Sequence, residues 1–167
     1  MVRIGLIEGS HLQYFRKNYE EGINKLLTQL SSNAIPIDGE DFALNIFKWN
    51  SFFYLAIDSD DAGGGPKIVG MALIFFQYRP EGWLGEIHSV VVDNAYRGQG
   101  LGKQLTQKLL DKAKEFSGCH QKKITLELTS SPKRVAANAL YLKLGFELVA
   151  AATGEHGTNL YKKVIEP

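Results

Sequence analysis

Apolar positions along the chain follow two periods, and the switches between them mark the elements. Residues 2–7 alternate every second position and read as a short strand. Leu12, Phe15, Tyr19, Ile23, Leu26, Leu27 and Leu30 then recur at helical spacing behind Ser10-His11-Leu12-Gln13, which has the form of a capping box. A long amphipathic helix is therefore expected, followed by a break around Pro36 and a shorter helix over residues 39–49. Residues 51–57, 67–78 and 83–92 are dense in aromatic and branched side chains and read as three strands. The short turns between them imply antiparallel pairing. Leu101, Leu105, Leu109, Ala113 and Phe116 return to the helical period, and residues 123–128 to the strand pattern. Ser131-Pro132 can cap and open another helix, proline being tolerated at the first helical position, and Gly145 suits the left-handed residue that ends it. Residues 146–151 and 159–165 close the chain as two strands. Strands interrupted by helices in this order predict an α/β (α+β) fold, a mixed sheet with helices on both faces.

Composition narrows the partners more than the fold. A chain of 167 residues with ordinary apolar and charged fractions has the size of one domain with a normal core. A net charge of +1 gives no reason to expect nucleic acid or an anionic membrane, and no apolar run approaches the length of a bilayer span. Cys119 is the only cysteine and has no partner for an internal disulfide. With no signal-peptide pattern, that points to a reducing, cytoplasmic setting. The histidines at 11, 88, 120 and 156 show no ligand spacing with cysteine or carboxylates, so no metal is expected. The chain fits a monomer or a homodimer equally well.

The stretch with the most chemical content is Arg97-Gly98-Gln99-Gly100-Leu101-Gly102, placed after an apolar strand and opening a helix. Glycines at alternating positions remove the Cβ atoms that would hold a ligand off the backbone. The free N–H groups of the first helical turn and the helix dipole attract anionic oxygens, and Lys103 adds a full charge. Two known phosphate loops are excluded. A Walker loop needs Gly-Lys-Ser/Thr, but Gly102-Lys103 is followed by Gln104. The dinucleotide fingerprint needs glycine at 103.

About forty residues after this turn comes Ala136-Ala137-Asn138-Ala139-Leu140-Tyr141-Leu142-Lys143-Leu144-Gly145-Phe146. Together the two segments resemble the GNAT superfamily of acyl-CoA-dependent N-acetyltransferases over residues 67–165. The first looks like its pyrophosphate signature and the second like its Tyr-x-x-x-Gly-Phe segment. The resemblance implies a mostly antiparallel mixed sheet, splayed between its central strands to admit the pantetheine arm, and acetyl-CoA as cosubstrate. Residues 97–103 would hold the diphosphate. Val90, Val91 and Val92 would line the arm, with a backbone N–H near Val90 meeting the thioester oxygen.

Acetyl transfer to an amine needs the amine deprotonated, the carbonyl oxygen stabilised and the thiolate protonated. For a lysine-like amine with a pKa of ~10.4, reaching the free base at pH 7 costs about 4–5 kcal/mol, enough for a positioned base to matter. Glu86 and His88 are the candidates. At i and i+2 on a strand they are expected to share one face with Val90 and Val92. Glu86 stands eleven residues before Arg97, the offset that the resemblance implies for a strand glutamate acting as base. A solvated strand face explains both residues too. Tyr141 matches the family's acid and coenzyme contact. Asn138 would bind pantetheine or pyrophosphate, although many members carry their asparagine a turn upstream, where this chain has Arg134, itself able to reach a coenzyme phosphate. Asn159 and Tyr161 either line the acceptor pocket or belong to an edge strand, and Phe75, Phe76, Tyr78 and Trp83 either wall that site or pack the hairpin.

The leading expectation is thus an enzyme moving acetyl from acetyl-CoA directly to a primary amine of a small molecule or peptide. A protein N-terminal or lysine acetyltransferase is a second reading, and an acyl-CoA-binding sensor without catalysis a third. The segments 31–41, 78–83 and 151–158 decide between a closed pocket and an open groove.

Overall fold

The computed structural model describes residues 1–7, 19–31, 33–38, 50–59, 65–153 and 157–167. Among them are seven strands in one sheet: β1 (Val2–Ile7), β2 (Ser51–Asp58), β3 (Lys67–Arg79), β4 (Gly82–Val92), β5 (Ile124–Ser130), β6 (Glu147–Ala150) and β7 (Asn159–Ile165). Their order across the sheet is β1-β2-β3-β4-β5-β7-β6. Every adjacent pair is antiparallel except β4 and β5, which run parallel. Helices α1 (Glu20–Leu30), α2 (Leu101–His120) and α3 (Val135–Lys143) complete the described elements, with a short 3-10 turn at Asn94–Tyr96. The part of the first expected helix over 10–18, and the helix expected over 39–49, lie outside the described residues.

β2 and β3 are covered on both sides, which is why their sequences read as nearly unbroken apolar runs. One set of side chains, including Phe53, Leu55, Met71, Leu73 and Val91, packs with Ile23 and Leu26 of α1. The other set, including Tyr54, Ala56, Ala72, Ile74 and Ile87, packs with Leu105 and Leu109 of α2. Alternation along each strand thus feeds two cores, one per face.

Two local outcomes differ from the sequence pattern. The helix expected to open at Ser131-Pro132 begins at Val135. Ser131 first closes a turn, its carbonyl accepting from Arg134 N at 3.0 Å and its hydroxyl from Lys133 N at 3.3 Å. The expected face shared by Glu86, His88, Val90 and Val92 is broken. Leu73 faces His88 but Met71 faces Val91, so β4 carries one extra residue there, and Ser89 takes a left-handed φ of 55°. Such a bulge reverses the alternation beyond it. Val91 now joins the α1 face, while Val90 and Val92 turn to the α2 face.

The end of α3 follows its sequence closely. Gly145 has φ 80°, its N–H donates to Leu142 O and the Phe146 N–H donates to Tyr141 O, both at 3.0 Å. This is a Schellman stop, and its usual apolar contact is present as Tyr141 against Phe146, ring centres 6.0 Å apart. The motif that ends the helix therefore also fixes the ring of Tyr141.

Candidate active site

β4 and β5 pair only from Trp83↔Ile124 to Ile87↔Leu128. Beyond that point β5 stays with β7 through Ser130↔Asn159, and β4 stays with β3 through Gly70↔Val92. The sheet opens there into a wedge, and one edge of β4 is left without a partner strand. Asp93 N donates to Val69 O on the β3 side at 2.8 Å. In a planar trans peptide the carbonyl points opposite to the N–H, so Val92 O faces the wedge, as does Val90 O two residues earlier. Two arginines donate to these carbonyls. Arg97 Nε donates to Val92 O at 3.2 Å, and Arg134 Nη2 donates to Val90 O at 2.8 Å.

At the mouth of the wedge lies the glycine turn. Gly98 and Gly100 have φ of 77° and 78°, a conformation that costs any residue with a Cβ about 1–2 kcal/mol. A Cβ added at Gly98 would meet no protein atom within 4 Å, so the turn presents bare backbone to open space. The first amide tied back is Gln104 N, which donates to Gly100 O at 3.1 Å. The amides of residues 98–103 find no acceptor among the described residues. Lys103 is exposed beside them, at the edge of a depression of about 500 Å³ that Gly100 and Lys108 also line.

The bulge at Ser89 divides the candidate chemistry between the two faces. On the α1 face, the half-exposed Glu86 accepts a hydrogen bond from Gln77 Nε2 and has the Arg79 guanidinium 3.9 Å away. His88 is exposed, its ring edge-on to Phe75 at 5.5 Å. A cavity of about 220 Å³ on this side is lined by Ile23, Leu27, Ile37, Phe53, Leu73 and Ser89. Asn24 braces its rim by exchanging hydrogen bonds with the main chain of Ile37.

On the α2 face, Tyr141 is buried, its ring edge-on to Phe146 and tilted against Tyr161. Burial pushes its phenol above the ordinary value of 10.0, the Arg134 cation pulls it back in part, and Tyr161 adds to the rise. Its hydroxyl has no hydrogen-bond partner among the described residues. Asn138 spends its Nδ2 on Ser131 O at 3.0 Å, and its buried Oδ1 has no partner. Tyr161 is buried in the core, while Asn159 takes the Ala152 N–H at 3.0 Å and so ties the β6–β7 hairpin. Phe76 and Trp83 pack on Phe116, and the exposed Tyr78 leans on Trp83, so of the four aromatic candidates only Phe75 stands with Glu86 and His88.

Sequence reasoning missed the clamp that joins these parts. Lys25 Nζ lies 3.1 Å from the buried Asp93 carboxylate, and Gln29 Oε1 accepts from Asn94 N at 2.9 Å. Helix α1 is thereby tied to the segment that leads into the glycine turn. No periodic pattern marks such a pair, because each residue sits at an unremarkable place in its own element. Burial alone would raise the Asp93 carboxyl, but the Ala95 amide and the Lys25 ammonium more than reverse this and hold it below 3.8. A depressed carboxyl gives stability that is present above its unfolded pKa and lost as pH falls through the folded one. Asp93→Asn is expected to cost about 1–3 kcal/mol in urea unfolding at pH 7, a difference that shrinks as the pH is taken toward 3.

The sheet thus parts beside a glycine turn whose amides are unengaged among the described residues. Residues 20–146 match the model of the acetyltransferase (GNAT) family. A probable glucosamine 6-phosphate N-acetyltransferase 2 of Oryza sativa subsp. japonica is 31% identical over 136 residues, 77% of this chain and 76% of that protein. An aminoalkylphosphonate N-acetyltransferase of Salmonella typhimurium is 27% identical over 131 residues, 76% of this chain and 78% of that protein. The crystal structure of a GNAT-family acetyltransferase from Streptococcus pneumoniae superposes with a TM-score of 0.69 at 23% identity, covering 99% of this chain and all of that one, which shows a common fold. The chain belongs to the GNAT family and is an acetyl-CoA-dependent N-acetyltransferase. No helix among the described residues is long and apolar enough to cross a membrane, and no cluster of residues there could hold a metal ion.

Proposed function

We propose that the chain is a single acetyltransferase domain that moves the acetyl group from acetyl-CoA directly to the primary amine of a small molecule, without a covalent enzyme intermediate. The single observation that carries this reading is the wedge with unengaged amides at its mouth. An arm entering there would run past Val92 and Val90 with its diphosphate on residues 98–103. The names of the rice and Salmonella relatives, both N-acetyltransferases of small amines, favour a small acceptor, as does the modest cavity beside Ser89.

The acceptor amine approaches from the α1 face. Glu86 takes a proton from it, directly or through a water, with His88 beside the path. The nitrogen attacks the thioester carbon, and the Val90 N–H receives the carbonyl oxygen as it gains charge; such preorganised donors contribute about 3–4 kcal/mol. The C–S bond then breaks, Tyr141 on the α2 face gives a proton to the sulfur, and the second proton left on the acylated nitrogen passes to solvent as the amide forms. Acetylated amine and free coenzyme A leave, and the proton held by Glu86 returns to solvent as Tyr141 regains one. The bulge lets one strand serve both sides, with the base before it and the oxyanion donor after it.

Release of thiol from acetyl-CoA, measured against a panel of amino sugars, aminophosphonates, diamines and peptides, tests the reading. Turnover with a small amine supports it. Turnover with peptides alone would move the chain to the protein-acetylating members, and tight coenzyme binding with no turnover on any acceptor would favour a sensor. Glu86→Gln is expected to lower kcat about 30-fold, below the ~10²–10⁴-fold typical of a general base because the group is partly in water. An unchanged kcat would transfer the role to His88.

A further inference from the structure

The Val90 carbonyl lies on the free edge of β4, where the proposed function would put the thioester end of the coenzyme, and it is held by a side chain from across the wedge. Arg134 is half-buried at the N-terminus of α3. Its main chain is bound into the turn that follows β5, since its N–H donates to Ser131 O and its carbonyl accepts from Asn138 N, each at 3.0 Å. Its guanidinium then reaches over to β4 and donates to Val90 O at 2.8 Å. One residue thus spans the two strands that diverge. The corresponding contact at the coenzyme's phosphate end is made by Arg97 on Val92 O. Arg134 is therefore placed toward the reacting end of the wedge rather than toward the diphosphate.

We infer that Arg134 is a positioning residue for acyl transfer: by holding the Val90 carbonyl it sets the width of the wedge and keeps one positive charge over the place where the thiolate departs. A carbonyl oxygen has two lone pairs, so an amide of the coenzyme arm and the guanidinium can share Val90 O. The fork of the guanidinium makes this bond directional, and the side chain carries its charge at every working pH. Arg134 also acts electrostatically on the phenol of Tyr141, so its cation lies within range of the hydroxyl assigned above to protonate the sulfur. The inference rests on the reading of Tyr141 as the acid only for this second contribution. No atom is transferred to or from Arg134.

The test compares Arg134→Met and Arg134→Lys in full-length protein, using kcat, KM and a calorimetric Kd for coenzyme A, with thermal unfolding as a control for folding. Arg134→Met is expected to lose about 10- to 30-fold in kcat, while the Kd changes by less than about threefold. Arg134→Lys, which keeps the charge and one donor, is expected to recover most of the loss. A defect confined to Kd and KM, and absent when 3′-dephospho-acetyl-CoA is the donor, would make Arg134 a phosphate ligand and overturn the inference. An unchanged kcat in Arg134→Met would overturn it as well. If Tyr141→Phe is fully active while Arg134→Met is slow, the acid is misassigned and the strap stands. The reverse pattern removes the strap alone.

Discussion

Tyr141→Phe is expected to lower kcat about 100-fold and to leave the Kd for acetyl-CoA within about threefold of wild type. The asymmetry follows from where the ring sits. Tyr141 is buried, with its apolar edges against Phe146 and Tyr161, and phenylalanine keeps those contacts. Only the hydroxyl is lost, and that hydroxyl has no partner among the described residues, so no buried donor or acceptor is stranded. Stability should therefore change little while proton delivery to sulfur is lost. The pH profile gives a second reading. An acid works only while it holds its proton, and burial raises this phenol above 10.0 despite the opposing charge of Arg134. In the wild type Tyr141 then contributes no alkaline fall in kcat below about pH 10. A Tyr141→Phe variant with full kcat would move the proton donor to water.

The double substitution Gly98→Ala/Gly100→Ala is expected to weaken acetyl-CoA binding about 100-fold or more, with a much smaller effect on the rate at saturating coenzyme. Each alanine must adopt a left-handed φ, at a cost of about 1–2 kcal/mol, and relaxing that strain turns the amides away from a common centre. Hydrogen bonds from amides to a charged diphosphate are worth about 1.5–3 kcal/mol each, so losing two of them accounts for a hundredfold change in Kd. The methyl of residue 98 would also project into space that no protein atom occupies within 4 Å. The readout is calorimetry with acetyl-CoA and with pantetheine. If the turn holds the diphosphate, the variant loses affinity for the first and keeps that for the second. Equal losses, or none, would place the anion elsewhere.

Much of the architecture was legible because it depends on period and punctuation. The strands at 51–57, 67–78 and 83–92 fall within one residue of their observed ends, and Gly145 closes its helix as its sequence requires. The helix at 101 and the glycine turn before it were equally clear, since alternate glycines at a strand-to-helix junction leave few conformations. What stayed hidden depends on contacts between distant residues. The bulge at Ser89 sits in the run Ser89-Val90-Val91-Val92, where every valine is a good strand residue on either face. Only the pairing with β3 reveals that one residue is extra. Local alternation therefore put Val90 and Val92 beside Glu86, whereas the bulge puts them on the face of Tyr141. The Lys25–Asp93 clamp and the reach of Arg134 to Val90 O were out of view for the same reason, being set by tertiary approach. The proline at 132 misled because a side-chain turn at Ser131 intervenes before the helix begins.

If the backbone of residues 98–103 receives the diphosphate of the coenzyme, the thioester is directed along the free edge of β4. The most direct measurement is a crystal structure of the protein with acetyl-CoA bound. Diphosphate oxygens are expected within about 2.7–3.2 Å of several amides of that turn, with the arm in the wedge beside Val92 and Val90. A coenzyme bound away from the turn, or a wedge that stays bridged and empty with the coenzyme present, would contradict it.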